Sequence, residues 1–169
     1  EPLAVLYSAS DFQNMEGHEQ GAKVLHEITN QICDNEKEDI SEALICGDYY
    51  YDENISVDES EKGIKSIYEV LNAQWGLGYD DIFFVQGNHD PSETTGLDLT
   101  GGTERDHYSV YQINYDDFMR NYQPGIDVET RIRDTSEKLK VWLEKKIELG
   151  DCKPIFIISH LPLHHSYRY

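Results

Sequence analysis

Residues 83–91 read FFVQGNHDP, that is Phe83-Phe84-Val85-Gln86-Gly87-Asn88-His89-Asp90-Pro91. With Ile82 in front, the stretch opens as a short apolar run and stops at a glycine. A run of this length bounded by turn residues reads as a buried strand. Its polar end is the unusual part. An amide, an imidazole and a carboxylate stand side by side, and each can ligate a cation or handle a proton. Asn and Asp are also ordinary turn formers. The stretch therefore gains weight only if other strand ends carry the same kind of residue.

They do. Residues 3–7 form an apolar run followed by a polar loop that holds Asp11 and Gln13. Residues 43–46 form a second run, which stops at Gly47-Asp48, and residues 154–158 form a third, which stops at Ser159-His160. Residues 110–113 read as a further strand, residues 96–106 as a Gly-rich loop, and residues 115–127 as mixed loop. Helical spacing appears between the strands. Ala22, Leu25, Ile28 and Ile32 share one face, as do Ile64, Ile67, Leu71 and Trp75. A third helix has Leu139, Trp142, Leu143 and Ile147 facing inward, with Asp134 and Glu137 spaced as a capping box and Gly150 as its C-terminal cap. Short non-alternating strands between helices predict an α/β fold of βαβ units, with a largely parallel layered sheet and flanking helices covering both faces. In such sheets the ligand site gathers at the strand C-termini. Here four of those ends carry oxygen or imidazole groups.

Asp11, Asp48, Asn88 and His160 make a mixed oxygen and nitrogen set without thiolate. Such a set suits Mn, Fe, Zn or Mg rather than a structural zinc cage. Two ions about 3.5–4 Å apart can clamp a phosphoryl group between them. Asp48 follows a glycine that permits a sharp turn and is the natural bridge. His89 is placed to face a substrate and to protonate a leaving oxygen, with Asp90 expected to hold its ring in one tautomer.

The ordered set Asp11-x-Gln13, Gly47-Asp48, Gly87-Asn88-His89-Asp90 and Ser159-His160 resembles the calcineurin-like metallophosphoesterases. Their pattern is DxH, GD, GNH(D/E), a single His, then GHxH. The resemblance runs from Asp11 to about His165 and implies a double sheet with a dinuclear site that hydrolyses phosphomonoesters or phosphodiesters. Carried over by position, it implies that Asp11 and Gln13 hold the first metal, that Asp48 bridges, that Asn88 and His160 hold the second, and that His89 assists catalysis. There are two departures. Gln13 stands where the family has His, and an amide oxygen is a neutral, weaker ligand. No GHxH follows, and the adjacent pair His164-His165 does not match it. The sequence is therefore expected to be the front portion of one metallophosphoesterase domain spanning 1–169, with each metal site short of a ligand. The alternative is a catalytically degenerate binding module on the same fold. His164 is a candidate substrate contact. Tyr49, which opens the run Tyr49-Tyr50-Tyr51, reads either as an aromatic wall for a substrate or as loop packing.

Composition narrows the partners. The 33 acidic and 14 basic residues give a formal net charge of −19, which repels polyanions, so nucleic acid is disfavoured and divalent cations are attracted. The expected partner is a phosphorylated substrate whose class the residues do not specify. The three cysteines, odd in number and without CxxC spacing, support neither a disulfide framework nor a zinc knuckle. No apolar stretch approaches the ~20 residues needed to span a membrane. Secreted and cytoplasmic settings both stay open. An uncovered sheet edge would favour self-association unless the charge opposes it.

Overall fold

The computed structural model describes residues 4–10, 12, 20–35, 40–50, 56–118 and 127–161. Three strands and two helices come first: β1 (Leu6–Ala9), α1 (Gln20–Asn35), β2 (Glu42–Cys46), α2 (Val57–Trp75) and β3 (Ile82–Val85), the last entered through a 3-10 turn at Tyr79–Asp81. There follow β4 (Gly101–Glu104), β5 (Ser109–Ile113), the single turn α3 (Tyr115–Phe118), α4 (Val128–Glu148) and β6 (Ile155–Ser159). Strands β1, β2 and β3 pair in parallel, with Ser8 beside Leu44 and Leu44 beside Phe83. A second sheet has the order β4-β5-β6, antiparallel then parallel, with Val110 beside Phe156.

Period-2 alternation splits the first sheet into two faces although every residue of β3 is buried. Ala43, Ile45, Ile82 and Phe84 point to the helices and pack with Leu25, Ile64, Ile67 and Leu71. Leu44, Phe83 and Val85 point the other way and meet Val110 and Ile158 of the second sheet, with Tyr108 just ahead of β5. Two sheets thus stack face to face. Helices α1 and α2 lie outside the first sheet, and α4 lies against the second. Each fully buried Ile or Leu, such as Ile67 and Leu71, stabilises the stack by about 1.5–3 kcal/mol.

The α2 helix starts where its sequence says. Ser56 Oγ accepts from the Glu59 N–H and Glu59 Oε2 accepts from the Ser56 N–H, a reciprocal cap. It stops at Gly76 in the left-handed conformation. By contrast, α4 begins earlier than the Asp134/Glu137 pair suggests. Asp127 is the N-cap and accepts from the Thr130 N–H at 2.7 Å. The added first turns are polar because they dock on α3 through hydrogen bonds. Arg131 donates to the Asp116 carbonyl and Thr135 to the Asp117 carbonyl. Ile147, expected inward, is 76 % exposed. Its neighbour Lys146 is buried instead, bonded to Glu104 and Asp151 with its Nζ 4.9 Å over the Trp142 ring.

Three further expectations change. The first strand lies at Leu6–Ala9, further along than residues 3–7, because its register carries it on until Ala9 meets Ile45. The Gly-rich segment 96–106 contains β4, and Gly102 leaves room for the Trp142 indole, which a Cβ there would strike. Cover on both faces holds for the first sheet but not for β6. Ile155, Phe156 and Ile157 are 37, 39 and 41 % exposed, because β6 is the edge strand of its sheet. Among the described residues no helix is long and apolar enough to cross a membrane.

Candidate metal centre

The site is built where β2, β3 and β6 end. After Cys46 the chain takes two left-handed steps in succession, Gly47 at φ 87° and Asp48 at φ 58°. Asp48 is the one non-glycine with positive φ among the described residues. Such a conformation costs about 1–3 kcal/mol and persists only where its surroundings impose it. The turn after β3 is pressed against this one. A Cβ on Gly87 would collide with the Asp48 carboxylate, and one on Gly47 would sit 2.5 Å from Gly87 Cα and 3.0 Å from His160 Nδ1. Both glycines are needed for the two loops to interlock.

That interlock brings Asp48, Asn88, His89 and His160 together. Asp48 is 2 % exposed. Its Oδ1 accepts from the His89 backbone N–H at 3.1 Å. Its Oδ2 lies 3.5 Å from His160 Nε2 and 4.0 Å from His89 Nε2. His160 Nδ1 is 2.7 Å from the Cys46 carbonyl, and Nε2 is 2.8 Å from Asn88 Oδ1. A carbonyl only accepts, so Nδ1 carries the proton. In the neutral ring Nε2 then offers a lone pair, and it offers it to a carboxylate oxygen and an amide oxygen. Three acceptors converging in this way are satisfied by a cation among them, by a proton on the imidazole, or by the Asn88 amide turned to donate its NH2.

A cation fits. The separations of 2.8 and 3.5 Å bracket the ~3.3 Å edge of a tetrahedron whose bonds are near 2.0–2.1 Å. Locking a ligand histidine by hydrogen-bonding its other nitrogen to a carbonyl is also the usual outer support of such sites. Among the described residues no group of three His, Cys, Asp or Glu side chains is arranged to hold an ion. Here the third donor is the amide of Asn88. Asp11 and Gln13, expected at the first metal, lie outside the described residues, as does His164. Of the expected ligands the described residues include Asp48, Asn88 and His160.

Asp90 stands behind the site, fully buried. Its carboxylate accepts from three backbone N–H groups: Gly87 at 2.7 Å, Asp48 at 2.9 Å and Tyr49 at 3.1 Å. Burial pushes its carboxyl up to about 6, the neighbouring Asp48 charge adds to that, and the three backbone donors pull it back. The sequence suggested that Asp90 orients the His89 ring. The structure gives its carboxylate to the two loops, and the acid 4.0 Å from the ring nitrogen is Asp48.

Tyr49 is a correction. It is fully buried, its hydroxyl lies 2.7 Å from the Val85 carbonyl and 3.1 Å from that of Ile45, and its ring sits 5.8 Å from Phe84. Burial raises its phenol well above the usual range. It braces the ends of β2 and β3 from inside and forms no wall for a substrate.

Two residues escaped the sequence reading. Gln86 is buried, donates to Asp116 Oδ2 at 2.8 Å and to the Asp90 carbonyl at 3.2 Å, and accepts from the Asp116 N–H. Asn114 accepts from the Gln86 N–H at 2.9 Å. Both tie the β3 loop to the end of β5. Their signal was present: Asn114 directly follows a strand, as Asp48 and Asn88 nearly do.

No description of a known protein family matches this sequence, and no curated protein matches it. Among solved structures it is similar to a dimetal phosphatase from Danio rerio, with a TM-score of 0.65 and 14 % identity, over 97 % of this chain and 71 % of that one. At that identity the likeness speaks for the fold, which is metallophosphoesterase-like: α/β, built from βαβ units around a parallel sheet.

Proposed function

We propose that this metallophosphoesterase-like chain is a metal-dependent hydrolase of phosphoester bonds, monoester or diester. One observation carries the reading. Asp48 Oδ2, Asn88 Oδ1 and His160 Nε2 converge from three strand ends with no donor among them in the neutral state of the ring. Asn88 and His160 would hold one divalent ion (Mn, Fe, Zn or Mg), and Asp48 would share it with a second ion at Asp11 and Gln13. Divalent ions held there supply Lewis acidity to a phosphoryl group and offset charge that develops on its oxygens.

The chain's own groups do the rest. Asp48 is fixed at both ends, by its strained backbone and by the His89 N–H, so its carboxylate does not reorganise when a ligand arrives. The His160 ring is held at Nδ1 and presents Nε2 in one tautomer. The His89 side chain is 24 % exposed and is the most open group of the cluster that can move a proton. In this reading it protonates a leaving oxygen.

The test is Mn- or Zn-dependent hydrolysis of p-nitrophenyl phosphate and of its bis-ester. Asp48→Ala should lower the rate on the order of 10³-fold, as expected for loss of several kcal/mol of charge stabilisation. His89→Ala should lower it about 10²–10⁴-fold while metal binding persists. A metal-loaded protein inert towards both esters would sink the reading.

A second reading is a degenerate binding module. Gln13 in place of a stronger ligand favours it, as does the absence of a three-residue His, Cys, Asp or Glu group among the described residues. Calorimetry that finds phosphate-ester binding without metal stoichiometry near two, and without turnover, would select it.

A further inference from the structure

We infer that Asp90 is a positioning residue, which holds the Gly47-Asp48 turn in its left-handed form and thereby aims Asp48 at a cation before one arrives. The inference rests on the metal-site reading above and deepens it.

The geometry is specific. The N–H groups of Asp48 and Tyr49 are consecutive and converge on one carboxylate, Asp48 on Oδ2 and Tyr49 on Oδ1. Successive backbone N–H groups around a left-handed residue form an anion-binding concavity. Here the anion in that concavity is the protein's own Asp90. Its Oδ2 also takes the Gly87 N–H, so a single side chain clasps the loops after β2 and β3. Asp48 thus contributes its backbone to Asp90 and keeps its carboxylate for the opposite side. There Oδ2 stands 3.5 Å from His160 Nε2.

Remove Asp90 and three buried N–H groups lose their acceptor at once. The His89 N–H still reaches Asp48 Oδ1, but the backbone of the turn at φ 58° loses its clasp and is free to relax to negative φ. The Asp48 side chain then leaves the line to Asn88 and His160. Two acids close in space have divided the work: Asp90 shapes the backbone, and Asp48 is left for the ligand.

The experiment is a calorimetric titration of the metal-free protein with Mn²⁺, comparing wild type, Asp90→Asn and Thr135→Ala. Thr135 is buried on α4 with its hydroxyl on the Asp117 carbonyl, and its variant supplies a loss of melting temperature while leaving the three N–H bonds to Asp90 in place. Asp90→Asn should weaken Mn²⁺ binding about 10- to 100-fold, whereas Thr135→Ala should stay within about twofold of wild type. An Asp90→Asn protein that binds Mn²⁺ as wild type does would overturn the inference. Should that variant not fold, amide hydrogen exchange on the wild type decides. Slow exchange at Asp48, Tyr49 and Gly87 supports the clasp, and fast exchange at all three overturns it. A wild type that binds no Mn²⁺ fails the proposed function instead, and the exchange result still judges the clasp.

Discussion

Of the three strands that deliver the site, β3 and β6 live in different surroundings. β3 is buried along its whole length, packed by helices on one face and by the second sheet on the other. β6 is at least as apolar in sequence, yet Ile155, Phe156 and Ile157 are each more than a third exposed and Ile158 alone is buried. Asn88 and Asp90 therefore follow a strand that cannot shift without disturbing the core. His160 follows one that can, and the ring is tethered across the gap by Nδ1 on the Cys46 carbonyl. Hydrophobic sequence records which side chains gain by burial. Topology decides which of them obtain it.

The contrast is tested most strongly by truncating an aromatic on each strand. Phe84→Ala, at a site 1 % exposed, should cost about 3–5 kcal/mol in urea unfolding. Phe156→Ala, at 39 % exposed, should cost about 1 kcal/mol. Equal costs would mean that β6 is covered in solution and would erase the difference.

A pair of glycine substitutions sharpens it. Gly87→Ala puts a methyl group on the Asp48 carboxylate, and Gly102→Ala puts one on the Trp142 indole. Each should destabilise by about 1–3 kcal/mol, as overpacking does. If the chain turns over phosphoesters as proposed, only Gly87→Ala should also lower that turnover, by about 10²-fold, because the loops after β2 and β3 shape the candidate site. Comparable turnover in the two variants would place the site elsewhere.

The smallest effect concerns acid. Lys146 sits between Glu104 and Asp151, and its hydrogen bonds to them hold both carboxyls below their ordinary range. A folded-state value lowered below the unfolded one contributes stability that is present above about pH 4 and lost as pH falls through the folded values. Melting temperature should therefore fall more steeply from about pH 5 to about pH 3 in wild type than in Lys146→Met. Parallel curves would show that the cluster contributes nothing to holding α4 on the second sheet.

Much of this architecture was legible in the sequence, for physical reasons. The run 82–85 coincides with β3, and the runs around 43–46 and 110–113 fall inside β2 and β5. Strands buried on both faces leave an unbroken apolar signature, and the edge strand β6 carries the same signature without the burial. The fold class follows from their alternation with helices, and the metallophosphoesterase resemblance of the strand-end motifs points to the same fold. What stayed hidden depends on partners distant in sequence. β4 is half glycine and carries no strand signature, and only the Trp142 indole explains Gly102. Tyr49 looked like a loop aromatic because its two carbonyl partners belong to β2 and β3. Asp90 sits next to His89 in sequence, so a shared role seemed natural, while its carboxylate in fact reaches the Asp48 and Tyr49 amides. Asp11, Gln13 and His164 lie outside the described residues, and the first-metal half stays as the motif alone gives it.

The bond from His160 to the Cys46 carbonyl, with Asn88 and Asp48 on the far side of the ring, joins one β-layer to the other. Any ion gripped there is a rivet through the sandwich, so its binding and the closure of the layers are thermodynamically coupled in both directions. An ion at a hundredfold excess over Kd should stabilise the fold by mass action by about 2.7 kcal/mol and raise the unfolding temperature accordingly. By the same reciprocity, whatever pries β6 outward loosens the ion.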